Sequence, residues 1–242
     1  MTEIVDEQYT AFKGLPWFDV MSDSIYMAIG GAGGIGSYLS YFLTRAGFKI
    51  QIFDYDTIEK RNLSGQLYKN SDIGKKKVDA LYNTIKEFSP SAFVMAMDKR
   101  INSSTNVMSP YFFSAFDNME ARKIFFELWK STIDYYSNPY YEYNGVVPVP
   151  IFIDGRLEAE QLQIFCVTKE RISEYEKYLF SDSDIEDVAC TMKQTSHVAS
   201  MIATFMTSFF TNHVTNMIEK NYVRDVPFKF EIFTPLTLIN RI

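Results

Sequence analysis

Three features of the chain predict an α/β fold in which a mostly parallel central sheet is flanked by helices. Short apolar runs alternate with stretches of helical period, the pattern of strands joined by crossover helices. The first run, 25–29, passes through a glycine turn into an amphipathic segment. Two later runs end in carboxylates, Asp54 and Asp117, where open α/β sheets bind ligands. Beyond these, runs at 151–156 and 161–167 read as a hairpin-like unit and 228–233 alternates cleanly, so antiparallel strands are expected toward the C-terminus.

The elements follow in order. After the first strand, Gly31, Gly33 and Gly36 fit G-x-G-x-x-G, with Gly34 between them. Missing Cβ atoms there let backbone N–H groups approach a phosphate at the positive end of a helix. Ile35, Leu39, Leu43 and Ala46 recur at helical spacing, and Gly47 is placed to end that helix. A second strand at 48–53 delivers Asp54, 18 residues after Gly36. That is near the ~20-residue spacing at which an acidic side chain meets a ribose hydroxyl, the alternative being a carboxylate that solvates a loop.

Next come Asp54-Tyr55-Asp56, then Arg61-Asn62-Leu63-Ser64-Gly65-Gln66, then Ile73-Gly74-Lys75-Lys76-Lys77-Val78. Lysines opening a helix at 75–88 oppose its macrodipole unless an anion sits beside them. Lys75 and Lys76 read as a solvated charge run, whereas Lys77 directly precedes the apolar Val78. A third strand is expected at 92–97 and a fourth at 111–116. Asp117 then either caps the following helix or positions Mg2+ on a triphosphate. The tyrosine-rich, proline-punctuated stretch 133–150 reads as a loop, and a helix is expected at 170–179. Cys166 falls on a strand as a buried thiol, and a long helix from Thr195 carries an apolar stripe with His213 on it.

Composition bounds the function. At 242 residues and 47% hydrophobic content the chain can bury a substantial core. The expected organisation is an N-terminal arm at 1–23, in which 15–18 packs as a short helix, and one domain at 24–242 with a mobile crossover region at 168–194. A net charge of −6 without a long basic run argues against nucleic acid as partner. Two cysteines, Cys166 and Cys190, cannot build a disulfide framework or a four-thiolate zinc site, and no signal-peptide pattern opens the chain, so a cytoplasmic setting is expected. The most apolar long segment, 195–218, is interrupted by Ser, Thr, Asn and His, and no membrane span is expected.

Taken together, Gly-Ala-Gly-Gly-Ile-Gly-Ser, Asp-x-Asp, Asn-Leu-x-x-Gln, Gly-x-x-Lys-Val and Asp-Asn-x-x-x-Arg, in that order, resemble the ThiF/MoeB family over roughly 24–215. These are bacterial relatives of ubiquitin-activating enzymes, and the chain looks like the short stand-alone members found in phages and mobile elements. The resemblance implies a Rossmann-like ATP-binding fold, ATP with Mg2+, and a homodimer. It implies an adenylyltransferase that activates the C-terminal carboxylate of a small ubiquitin-like protein or peptide as acyl-adenylate, releasing pyrophosphate. By position, Gly31, Gly33, Gly34 and Gly36 would bind phosphate or adenosine, Asp54 the ribose, and Asn62 and Lys77 the phosphates, with Asp56 and Gln66 also in the nucleotide site and Lys77 stabilising charge that develops on the α-phosphate. Asp117 would hold Mg2+.

Three departures qualify the resemblance. Gly65 stands where the family carries an arginine, for which Arg61 is the candidate replacement. The N-terminal Arg-Tyr-x-Arg-Gln segment is not recognisable in 1–23, and paired Cys-x-x-Cys motifs are absent, so no structural zinc is expected. Cys190 occupies roughly the place of a thioester-forming cysteine and reads equally as an ordinary one. Alternative functions are a catalytically inactive nucleotide-binding module of this fold and, from the glycine motif and Asp54 alone, an NAD-dependent oxidoreductase.

Overall fold

The structure is a computed structural model describing residues 7–20, 25–142, 145–158, 161–180, 195–219, 221–236 and 238–242. Its sheet has eight strands in the order β3-β2-β1-β4-β5-β6-β7-β8. They are β1 (Tyr26–Gly30), β2 (Lys49–Asp54), β3 (Val94–Asp98), β4 (Tyr111–Ser114), β5 (Ile151–Glu158), β6 (Gln161–Val167), β7 (Lys229–Phe233) and β8 (Leu238–Arg241). Strands β3, β2, β1, β4 and β5 run parallel, and β6, β7 and β8 continue the sheet antiparallel. The α/β class and the antiparallel C-terminal strands are therefore as the sequence predicts.

The helices are α1 (Pro16–Val20), α2 (Gly34–Arg45), α3 (Lys77–Phe88), α4 (Met119–Tyr136), α5 (Ile172–Tyr175) and α6 (Ser196–Ile218). Alternation along the strands divides the core. Met27 and Ile29 of β1 and Tyr111 and Phe113 of β4 pack with α1, α2, α3 and α6, while Ala28 and Phe112 face the Phe125, Phe126 and Trp129 stripe of α4. The chain passes outward from β1 to β2 and β3, then returns to place β4 on β1's other side. This reversal leaves a crevice at the carboxyl ends of β1 and β4, the position where such sheets bind ligands.

Several local expectations are corrected. Residues 133–136 belong to α4, not to a loop, because Ile133 extends the buried stripe of Phe126 and Trp129 by one more turn. The helix expected from 75 starts at Lys77, and Asn118 rather than Asp117 caps α4, its Oδ1 accepting the Ala121 N–H at 2.8 Å. The helix expected at 170–179 is the single turn α5 between 3-10 turns. Strand β8 was not foreseen; all its residues are exposed, so no burial pattern marks it. Within the N-terminal segment, Trp17 is buried against Phe48 with ring centroids 5.3 Å apart. Of the expected crossover region, 181–194, and with it Cys190, lies outside the described residues. Among the described residues no helix is long and apolar enough to cross a membrane.

Phe210 of α6 locks the larger cluster, its ring meeting Phe48, Tyr111 and Phe113 at centroid distances of 5.2, 5.0 and 5.1 Å. Phe210→Ala is expected to lower stability by about 3–5 kcal/mol in chemical denaturation, with the larger values if the ring's space stays open.

Candidate functional site

The glycine turn owes its shape to two close approaches. Gly31 has a φ of +93°, and a Cβ there would lie 2.8 Å from the Ala115 carbonyl oxygen. A Cβ on Gly36 would lie 1.8 Å from the Gly31 carbonyl oxygen, so only glycine lets the first turn of α2 rest on the turn that leaves β1. Gly33 differs: a Cβ would meet nothing within 4 Å. It occupies the N-cap position of α2, no side chain caps that end, and the first turn holds no acidic residue. The helix thus presents its unpaired N–H groups and positive dipole end beside open space, as an anion requires.

Asp54 closes one side of this turn. Its Oδ2 accepts the Ala32 N–H at 2.7 Å and its Oδ1 the Asp56 N–H at 2.8 Å. Burial pushes the Asp54 carboxyl up, against the pull of the Lys77 ammonium and these two N–H donors. Asp54 therefore gives up stability as pH rises from the ordinary carboxylate value through its raised folded one. Tyr68 braces the other side, its hydroxyl donating to the Ala32 carbonyl at 2.6 Å. Burial and the neighbouring Asp54, Asp56 and Asp72 hold that phenol well above its usual range, so it remains a donor. The Leu67 N–H donates to Ser37 Oγ at 3.0 Å, tying the 60–68 loop to α2.

The three lysines leading into α3 each meet a carboxylate: Lys75 with Asp72 at 2.9 Å, Lys76 with Asp98 at 3.1 Å and Lys77 with Asp56 at 2.8 Å. These anions answer the dipole objection raised by the sequence. Lys77 alone is buried, and its backbone N–H also donates to the Asp56 carbonyl at 3.0 Å. Arg61 engages Glu59 at 2.8 Å on the surface, and Asn62 Oδ1 accepts the Glu59 N–H at 2.7 Å. Gln66 Oε1 is buried with no hydrogen-bond partner, a polar atom waiting for a donor.

Asp117 follows β4, exposed, with Asn118 Nδ2 donating to its Oδ1 at 3.2 Å. The turn bearing it is fixed from behind. Arg122 Nη2 donates to the Phe116 carbonyl at 2.6 Å, and Arg122 Nε donates to Asp154 Oδ1 at 2.7 Å. Asp154, fully buried at β5, also accepts from Arg156 Nε at 2.6 Å and from the Tyr175 hydroxyl at 2.8 Å. Burial alone would raise its carboxyl, but the two guanidiniums and the phenol hold it below the usual range. Asp154 therefore stabilises the fold above the ordinary carboxylate value, and that contribution is lost as pH falls through its lower folded value.

Glycine turn, Asp54 and Asp117 thus stand at the carboxyl ends of the neighbouring strands β1, β2 and β4, with Lys77 joined to this group through Asp56 and Gln66 through the 60–68 loop. Cys166 lies elsewhere, on β6, where burial keeps its thiol protonated. His213 is a packed residue whose Nε2 meets the Val149 carbonyl at 2.7 Å. Sequence reasoning assigned no role to Tyr68, Arg122, Asp154 or Arg156. A carboxylate closing the apolar run 151–153 was the available signal for the last pair.

The residues present fit a nucleoside triphosphate: an uncapped helix end with an open glycine, a carboxylate at the next strand, a buried lysine and an unpartnered amide oxygen. A Mg2+ ion that keeps its waters and phosphate ligands needs only one or two protein carboxylates, so Asp117 suffices chemically. Among the described residues no group of three or more His, Cys, Asp or Glu could hold a metal by protein ligands alone.

Fold and site define a doubly wound α/β protein with a glycine turn at its switch point. Residues 12–235 match the ThiF family, and the chain belongs to it. Ubiquitin-like modifier-activating enzyme 5 of Rattus norvegicus is 34% identical over 95 residues, 36% of this chain and 24% of that enzyme. The Gallus gallus enzyme of the same name is 31% identical over 143 residues, 50% of this chain and 36% of that one. Among solved structures, E. coli MccB with MccA-N7isoASN superposes with a TM-score of 0.68 at 15% identity, covering 94% of this chain and 66% of that one. PaaA gives 0.67 at 17% identity, with the same coverage of 94% and 66%. The aligned segments thus span about a quarter to a third of these two curated relatives and 66% of the two solved chains.

The contrast between glycines is testable. Gly36→Ala must displace backbone and is expected to cost at least about 1–3 kcal/mol in denaturant titration. Gly33→Ala should leave stability within about 1 kcal/mol while weakening triphosphate binding measured by calorimetry, because the added methyl enters the open space beside the helix end.

Proposed function

We propose that the protein is an ATP-dependent adenylyltransferase acting on the C-terminal carboxylate of a peptide or small ubiquitin-like protein. One observation carries the reading: the uncapped α2 terminus at Gly33 lies at the carboxyl ends of the strands with Asp54 and Asp117, and Lys77 is joined to them through Asp56. A dinucleotide site needs the first two features and gives Lys77 and Asp117 no task. Family membership supports the choice, as do relatives named for activating ubiquitin-like modifiers and the likeness to MccB, solved with MccA-N7isoASN.

In this reading an oxygen of the substrate carboxylate forms a bond to the α-phosphorus of ATP. The bond from that phosphorus to the bridging oxygen breaks, pyrophosphate leaves, and a mixed anhydride remains. Little covalent help is needed; positioning and charge neutralisation are. The α2 N-terminus and Gly31–Gly36 turn cradle phosphates, Asp54 accepts from ribose hydroxyls, and Gln66 Oε1 accepts a hydrogen bond. Asn62 and Asp56 border the same loop. Lys77, released from Asp56 by the incoming anion, holds developing negative charge. Mg2+ on Asp117 would supply further neutralising charge to the phosphates. Cys190 would take the acyl group as a thioester. Two copies form the working unit, each built on the 24–242 domain.

A second reading, an inactive nucleotide-binding module, is favoured by Gly65 together with Arg61, whose guanidinium is already engaged by Glu59.

Pyrophosphate exchange with Mg·ATP and carboxylate-ended peptides separates them. Exchange is expected in the wild type and a fall of about 10²-fold or more in Asp117→Ala and Lys77→Ala, the scale of losing one electrostatic contact to developing charge. No exchange with any substrate, together with equal ATP binding by Asp117→Ala and wild type, would overturn the adenylyltransferase reading. For Cys190, unchanged conjugate formation by Cys190→Ala removes the thioester step, whereas a hydroxylamine-resistant adduct on Cys190→Ser supports it.

A further inference from the structure

The turn between β4 and α4 is anchored at each residue around Asp117. The Ala115 N–H donates to the Gly30 carbonyl at 2.8 Å. The Phe116 ring fills the space over Gly30, where a Cβ would lie 2.3 Å from it, and packs edge-on against Phe125 at 5.5 Å. The Phe116 carbonyl accepts from Arg122 Nη2 at 2.6 Å, and Asn118 caps α4. Arg122 is therefore more than a counter-ion: one nitrogen is spent on Asp154 and another on the carbonyl immediately before Asp117.

Asp154 in turn is held by two guanidiniums, only one of which reaches that turn. Arg156 Nη1 donates instead to the Tyr178 carbonyl at 2.9 Å, in the segment that follows α5. Replacing buried ion pairs by apolar side chains is often neutral or stabilising. What apolar residues cannot do is fix two backbone carbonyls relative to one carboxylate.

We infer that Arg122, braced by Asp154, is a positioning residue that sets the Asp117 carboxylate where the divalent cation of the nucleotide is held. This rests on the reading of Asp117 as the metal-holding group. Arg156 shares the carboxylate but tethers a different segment, so it separates positioning from charge. Arg122→Lys keeps the positive charge at Asp154 and cannot span both Asp154 and the Phe116 carbonyl with the same fork. Arg156→Lys keeps the charge and loses the fork that reaches the Tyr178 carbonyl and the Tyr175 hydroxyl, neither of which lies in the turn bearing Asp117.

The test is a Mn2+ titration of the full chain in the presence of ATP, with free Mn2+ read by its electron paramagnetic resonance signal and folding read by thermal melting without ligand. Arg122→Lys is expected to melt cooperatively and to need about tenfold more Mn2+ for half-saturation, the scale on which residues orienting metal ligands act. Its ATP affinity without divalent cation should match the wild type, and Arg156→Lys should titrate as wild type. If Arg122→Lys does not melt cooperatively, Asp154→Glu, which keeps the charge and shifts the brace by one methylene, should raise the midpoint in the same direction. A wild-type midpoint in the folded Arg122 variant, or in Asp154→Glu where that variant does not fold, while Asp117→Ala loses ATP-dependent Mn2+ binding, overturns the inference. A wild-type titration by Asp117→Ala overturns the reading of Asp117 itself, and an equal rise in Arg156→Lys reduces Arg122 to a structural role.

Discussion

The contact between Gly36 and the Gly31 carbonyl governs this molecule. With 1.8 Å between that oxygen and the place a Cβ would take, the first turn of α2 can rest on the end of β1 only as glycine. From this follow the axis of α2 across the sheet, its packing with α6, and the direction in which its unpaired N–H groups face. Asp54 and Tyr68 then hold the intervening Ala32 by its N–H and its carbonyl, so the turn is clamped from two strands and a loop.

Charge is distributed around this turn in two different ways. At Asp154 a buried carboxylate is overcompensated by two arginines, and the cluster favours the fold at neutral pH. At Asp54 burial works against the ionised form, and the protein carries that group at a cost to its stability. The first is the arrangement of a brace; in the second a carboxylate clamps a turn through two N–H donors while burial disfavours its charge. Lys77, buried beside the half-exposed Asp56, has a partner that a stronger anion can displace.

Much of this was legible in the residues. The strand–turn–helix punctuation placed the parallel strands, and the order of short motifs gave the family, because glycine turns and strand-end carboxylates are local in sequence. The pieces that escaped are long-range. Nothing near Tyr68 announces that its hydroxyl meets the Ala32 carbonyl, and Asp154 acquires its partners from α4 and from Tyr175, far away in the chain. Tyrosines at 135 and 136 suggested a loop, yet the buried stripe through Ile133 outweighed them. An exposed two-sided strand such as β8 has no periodicity to read.

The strand order also sets an order of assembly. β1 lies in the middle of the finished sheet, yet β4, one of its two neighbours, is separated from it by both crossover units that build β2 and β3. β1 therefore gains its second neighbour only when β4 is in place, and the Gly30 carbonyl then accepts the Ala115 N–H. The glycine turn lies early in the chain and its packing partners Ala115 and Phe116 lie far along it, so a chain truncated before β4 would hold the whole glycine motif without the surroundings that give it shape.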